Sequence, residues 1–168
     1  MIPSPMTRTA VFSPDGKYRY HLGRDWRAPL DTNDAMAVFV MLNPSTADER
    51  VDDPSVRRCI GFATYWGFQR LEVVNLFAMR ATDPKQIVRD DFPVGPETDE
   101  WIRKTCGNPF VSVFVAWGAM GTKYPNRVKL VSELIGRAVR CLGVTKGGQP
   151  KHPLYVSREC CPQPWEVP

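Results

Sequence analysis

The sequence predicts an α/β domain: a three-layer sandwich around a central, largely parallel four-stranded sheet, preceded by an N-terminal hairpin. Two observations carry this prediction. Apolar runs at 36–42, 71–75, 111–117 and 140–142 have the character of strands, and the first, seven residues rich in Val and Phe, is that of a strand buried on both faces. Helix-forming stretches fall between the runs, and strands that alternate with helices pair in parallel through crossover connections.

Residues 9–22 read as an edge hairpin, in which Pro14-Asp15-Gly16 turns the chain into the period-two alternation of 17–21. Turn formers over 23–34 make a connecting loop. The first core strand, 36–42, is cut off by Asn43-Pro44. Asp53-Pro54-Ser55 starts a helix, with Asp53 or Ser55 as N-cap and Pro54 where a helix tolerates it. Val56, Cys59, Ile60 and Ala63 then form an apolar stripe, and Gly67 ends the helix. The second strand, 71–75, completes a βαβ unit, followed by a loop over 76–84 and a helix from about 97 to 106. The third strand, 111–117, is closed by Gly118. A helix over 127–139 carries Val128, Val131, Leu134, Ile135 and Ala138 on one face. A short fourth strand at 140–142, a basic loop at 146–151 and the segment 152–156 close the ordered chain.

A length of 168 residues with 43% hydrophobic composition fits one domain with a substantial core. No apolar run approaches the eighteen or so residues of a membrane span, and the N-terminus lacks a signal-peptide core, so a cytoplasmic protein is expected. The five cysteines are scattered and odd in number, which fits neither a disulfide framework nor a CxxC metal site. An iron–sulfur site would need four converging thiolates, so structural thiols are expected. The formal net charge of +4 permits a phosphate or nucleic-acid partner.

Ligands of open α/β sheets bind beyond the carboxyl ends of the strands. There the sequence puts Leu42-Asn43-Pro44-Ser45, Asn75 with the loop that runs on to Arg80, Ala116-Trp117-Gly118, and finally His152-Pro153. Asn43 could simply open a turn, and Trp117 could be core. Asn75, directly after an apolar run, must be bonded either to protein or to ligand. Asp48, Asp52 and Asp53 are candidate carboxylates near Asn43, with Asp48 preferred as a general base because the other two also suit helix capping. Arg80, Lys146 and Lys151 are candidate phosphate contacts, although Arg57 and Arg58 are also basic and scattered surface charge is ordinary.

The order of these motifs resembles the uracil-DNA glycosylase superfamily. There the first strand ends in an Asn-Pro or Asp-Pro loop, later strands end in Asn and in Trp-Gly or Leu-Gly, and the last motif is His-Pro. The longer matches, Leu-Asn-Pro-Ser-Thr-Ala-Asp, Asn-Leu-Phe-Ala-Met-Arg-Ala-Thr-Asp-Pro, Ala-Trp-Gly and His-Pro-Leu-Tyr, resemble an uncharacterised bacterial and phage family, domain of unknown function 1643, over roughly residues 15–156. The glycosylase resemblance implies that Asn43 positions the attacking water, that Asn75 reads the base through its amide, and that His152 supports the carbonyl oxygen of the departing base. An aromatic that stacks on the base would be Phe77, Trp66 or Trp117. The sequence departs from that superfamily in having no Tyr-His after Asn43-Pro44, and Leu154-Tyr155 where Ser-Pro follows His-Pro. The expected function is a DNA glycosylase-like hydrolase of N-glycosidic bonds that uses no metal and no cofactor and acts on DNA or a nucleotide. Two alternatives stay open: a non-catalytic nucleic-acid or nucleotide-binding module, and a nucleotide-processing enzyme holding Mg²⁺ on Asp48, Asp52 and Asp53.

Overall fold

The computed structural model describes residues 5–168; residues 1–4, part of the N-terminal stretch expected to lack a signal-peptide core, lie outside the described residues. Seven strands form one sheet: β1 (Thr7–Phe12), β2 (Arg19–Asp25), β3 (Met36–Met41), β4 (Arg70–Asn75), β5 (Val111–Val115), β6 (Val139–Cys141) and β7 (Gln163–Trp165). The helices are α1 (Pro54–Tyr65), α2 (Lys85–Arg89), α3 (Thr98–Cys106) and α4 (Pro125–Ile135). Strand order across the sheet is β1-β2-β4-β3-β5-β6-β7. The middle four strands, β4-β3-β5-β6, are mutually parallel. The hairpin β1-β2 continues the sheet on one side through antiparallel β2-β4 pairing, and β7 extends it antiparallel on the other.

β3 is apolar throughout because both of its faces are covered. Val38 and Val40 join Ile102 of α3 and Val128 and Val131 of α4 in one cluster, whereas Ala37, Phe39 and Met41 meet Val56, Cys59, Ile60 and Ala63 of α1 in the other. The sheet is therefore the middle of three layers. α1 begins where the sequence places it: the Asp53 carboxylate accepts from the Val56 N–H at 2.9 Å, with Pro54 in the first turn.

Four expectations change. β2 runs on to Asp25, beyond the expected end of the hairpin, and Gly23 is needed there because a Cβ would collide with Thr9 Oγ1. α4 stops at Ile135 because Gly136 takes a left-handed conformation (φ 61°), so Ala138 is not helical and Val139 opens β6. The short α2 follows the loop after β4 and was not expected. The ordered chain continues beyond Val156 to β7, whose Trp165 packs edge-on against Trp117 at 5.2 Å between ring centroids.

The cysteines are free thiols. Burial drives the Cys59 thiol far above its usual range and pushes Cys106 up to about 12, so neither supplies a thiolate near neutral pH. Among the described residues no helix is long and apolar enough to cross a membrane.

Candidate functional site

A cavity of about 660 Å³ opens beyond the carboxyl ends of β3, β4 and β5. The segments that follow these strands are laced together by backbone hydrogen bonds: Ala81 N–H donates to Pro44 O, and Gly118 N–H donates to Pro150 O, each at 2.9 Å. Arg58 of α1 holds the last wall by donating to Pro153 O and Val156 O. Six candidate site residues of the sequence line this one cavity: Asn43, Asp53, Asn75, Trp117, Lys151 and His152.

Asn43 uses both hydrogens of its amide on the backbone, donating to Pro44 O at 2.9 Å and Ala81 O at 2.8 Å. That choice fixes the amide's orientation and leaves Oδ1 as an acceptor. Asn75 ends β4 at 3% exposure, and its side chain makes no hydrogen bond among the described residues. An amide in a cavity wall with no partner among the described residues is a donor and an acceptor offered together to whatever enters. The Trp117 indole N–H donates to Gln149 Oε1 at 2.8 Å, so Trp117 is a wall anchored in the core and not a free stacking face.

His152 accepts the Leu154 N–H at Nδ1 (3.3 Å), so the neutral ring carries its proton on Nε2. Burial holds its pKa below the ordinary histidine value, with the Asp53 charge pulling the other way. Gly118 serves His152 twice: it takes φ 80°, and a Cβ there would stand 3.3 Å from His152 Cβ.

Five expected site residues lie elsewhere. The Asp48 carboxylate accepts from the backbone N–H groups of Arg50 (2.7 Å) and Val51 (2.8 Å), which hold its pKa below the usual carboxylate range. It shapes a turn outside the cavity, which corrects its reading as general base. Phe77 is buried against Tyr124 in the core and does not line the cavity. Arg80 is exposed, stacked over Phe12 at 5.0 Å, and Lys146 is exposed on its own loop; neither lines the cavity. Trp66 stacks on Phe39, Phe62 and Phe114 in the core.

The aspartates named for Mg²⁺ do not converge. Asp48 shapes a turn, Asp52 pairs with Arg24 at 2.7 Å, and Asp53 caps α1. Among the described residues no group of three or more His, Cys, Asp or Glu side chains is placed to hold a metal ion.

Two cavity residues, Tyr155 and Arg19, escaped the sequence reading, and a third, Asp53, was a candidate carboxylate there but ranked behind Asp48. Asp53, 6% exposed, is the carboxylate that does line the cavity, with Oδ1 on the helix cap and Oδ2 left over. Tyr155, 82% exposed, stands at the mouth with its ring 5.9 Å from that of His152. Arg19 is 2% exposed and also lines the cavity. The signal for Arg19 lay in its strand: an arginine between two tyrosines that the period-two reading assigned to an edge ribbon.

Fold and site together define an α/β protein with a ligand cavity at the carboxyl edge of its parallel strands. The chain belongs to the family described as Protein of unknown function (DUF1643), whose model matches residues 19–154. That span takes in every residue lining the cavity except Tyr155. No curated protein and no solved structure matches the chain.

Proposed function

We propose that the cavity receives a nucleobase and that the protein is a DNA glycosylase-like hydrolase of N-glycosidic bonds, consistent with its resemblance to the uracil-DNA glycosylases. The observation that carries this reading is Asn75, a buried residue of the cavity wall whose amide makes no hydrogen bond among the described residues. An amide is the side chain that matches a base edge with one donor and one acceptor. Asn43 Oδ1, fixed as an acceptor, orients a water, and Asp53 takes the place first given to Asp48 as the base that receives the water proton. The water oxygen bonds to the sugar C1′ as the C1′–N bond breaks, and the bonding pair leaves with the base onto its carbonyl oxygen. His152 Nε2–H donates to that oxygen, and a neutral imidazole suffices as donor. The departing base anion takes up a proton from solvent as Asp53 releases its own, and the products are the free base and an abasic sugar.

The test incubates the protein with duplex and single-stranded oligonucleotides bearing uracil, hydroxymethyl or glycosylated pyrimidines and looks for abasic sites. Asn43→Ala, Asp53→Asn and His152→Ala serve as controls. Abasic sites that vanish in the controls support the proposal. Tight binding with no cleavage assigns the protein to the non-catalytic module, and neither binding nor cleavage overturns the base-binding reading.

A further inference from the structure

We propose that the cavity contains a phosphoryl-binding subsite built on the Arg19 guanidinium, so that its ligand is a phosphorylated nucleoside unit and not a bare base. This deepens the base-binding reading above and rests on it for the word nucleoside. The anion site itself rests on Arg19.

Two arginines of β2 are 2% exposed, and they are treated differently. Arg24 has what a buried cation needs: Nε donates to Asp52 Oδ1 at 2.7 Å, Nη1 to Gly23 O at 2.7 Å and Nη2 to Asp48 O at 2.6 Å. Arg19 has no ion pair among the described residues, and its side chain makes one hydrogen bond, from Nη1 to Ala47 O at 2.8 Å. Its Nε is buried without an acceptor, and Nη2 makes no hydrogen bond among the described residues.

The two unused donors belong together. Nε–H and Nη2–H form the edge of a guanidinium that grips two oxygens at once, as Arg27 grips both oxygens of Asp25 at 3.1 and 2.8 Å. The bond to Ala47 O fixes the opposite side of the Arg19 group, and the residue lines the cavity, so a small shift of the guanidinium suffices to present that edge to a ligand. Burial lowers the Arg19 pKa to about 10, with Asp53 opposing the shift, and the group remains a cation at neutral pH.

The surroundings suit an anion joined to a base. Lys151 is a second cation lining the cavity, and Ser45 and Ser55 line it too, Ser55 in the first turn of the twelve-residue α1. One carboxylate, Asp53, shares the cavity, and its Oδ1 is engaged by the Val56 N–H. A volume of about 660 Å³ leaves space for sugar and phosphate beside a base at Asn75.

The phosphoryl group can belong to a free nucleotide or to the phosphodiester beside a base turned out of a strand, and the test separates these sources. Titration calorimetry compares inorganic phosphate, the common deoxynucleosides with deoxyuridine, their 5′-monophosphates, and a short unphosphorylated single-stranded oligonucleotide. Wild type, Arg19→Met, Arg19→Lys and the exposed control Arg50→Met are used. We expect phosphorylated probes to bind wild type and Arg50→Met at least tenfold more tightly than nucleosides. The advantage should disappear in Arg19→Met and persist in part in Arg19→Lys. Should Arg19→Met fail to fold, the Arg19 Nε–H resonance of the wild type supplies the readout, shifting as phosphate is added. Gain with monophosphates assigns a free nucleotide, and Arg19-dependent gain with the oligonucleotide alone assigns the phosphodiester. Equal affinity for nucleosides and phosphorylated probes, with an unmoved Arg19 resonance, overturns the subsite while leaving the base reading intact. Arg19-dependent phosphate binding indifferent to the presence of a base upholds the subsite and removes the base reading.

Discussion

Asn43 and Asn75 have the same side chain and line the same cavity, but the structure predicts opposite consequences when each is replaced by leucine. Asn43→Leu removes two hydrogen bonds and strands the carbonyl of Ala81, whereas Pro44 O keeps the Ala81 N–H. At about 1 kcal/mol per bond, with an added cost for the one stranded acceptor, the loss comes to about 2–3 kcal/mol. For a domain of this size that lowers Tm by about 5–10 °C. Asn75→Leu removes no hydrogen bond among the described residues and replaces a buried amide with a side chain of similar size, so stability is expected to stay level or to rise by up to about 1 kcal/mol. Ligand binding should move the other way, falling at least tenfold in Asn75→Leu, because residues kept for a ligand and not for the fold sacrifice stability to function. Thermal and urea unfolding, together with nucleotide titration, measure both quantities. An Asn75→Leu protein destabilised as much as Asn43→Leu would show that Asn75 belongs to the fold, and the argument for a base-reading amide would fall.

Two further predictions concern the supports of the cavity. Asp52→Asn leaves the buried Arg24 guanidinium without its counter-charge and should cost about 3–5 kcal/mol in urea unfolding; the double variant Arg24→Met/Asp52→Leu should recover much of that, since apolar groups can replace a buried ion pair at little cost. Burial keeps the pKa of His152 below its ordinary value, so the folded state binds fewer protons there than the unfolded state. Stability tied to His152 is therefore present above the unfolded value of about 6.5 and is lost as pH falls below it. Tm measured from about pH 7 to pH 5 should drop more steeply for wild type than for His152→Gln, and the two curves running parallel would refute the assignment.

The sequence by itself determined the features that depend on near neighbours. The start of α1 was legible because capping is local: Asp53, Pro54 and the Val56 N–H lie within four residues. The central strand β3 was legible because burial on both faces demands an unbroken apolar run. The convergence of Asn43, Asn75 and His152 followed from strand ends sharing one edge. What only the tertiary structure decided were differences between chemically identical side chains. Asp48 and Asp53 are five residues apart, yet backbone N–H groups draw one into a turn and leave the other in the cavity. Arg19 and Arg24 share a strand, but the partners that distinguish them, Ala47 and Asp52, lie 28 residues further along in each case. Trp165 enters the core through pairing with β6, which no local pattern announces. Hydrophobic periodicity records which face of an element is covered; which polar group a distant loop satisfies, and which it leaves for a ligand, is settled only when the chain has closed on itself.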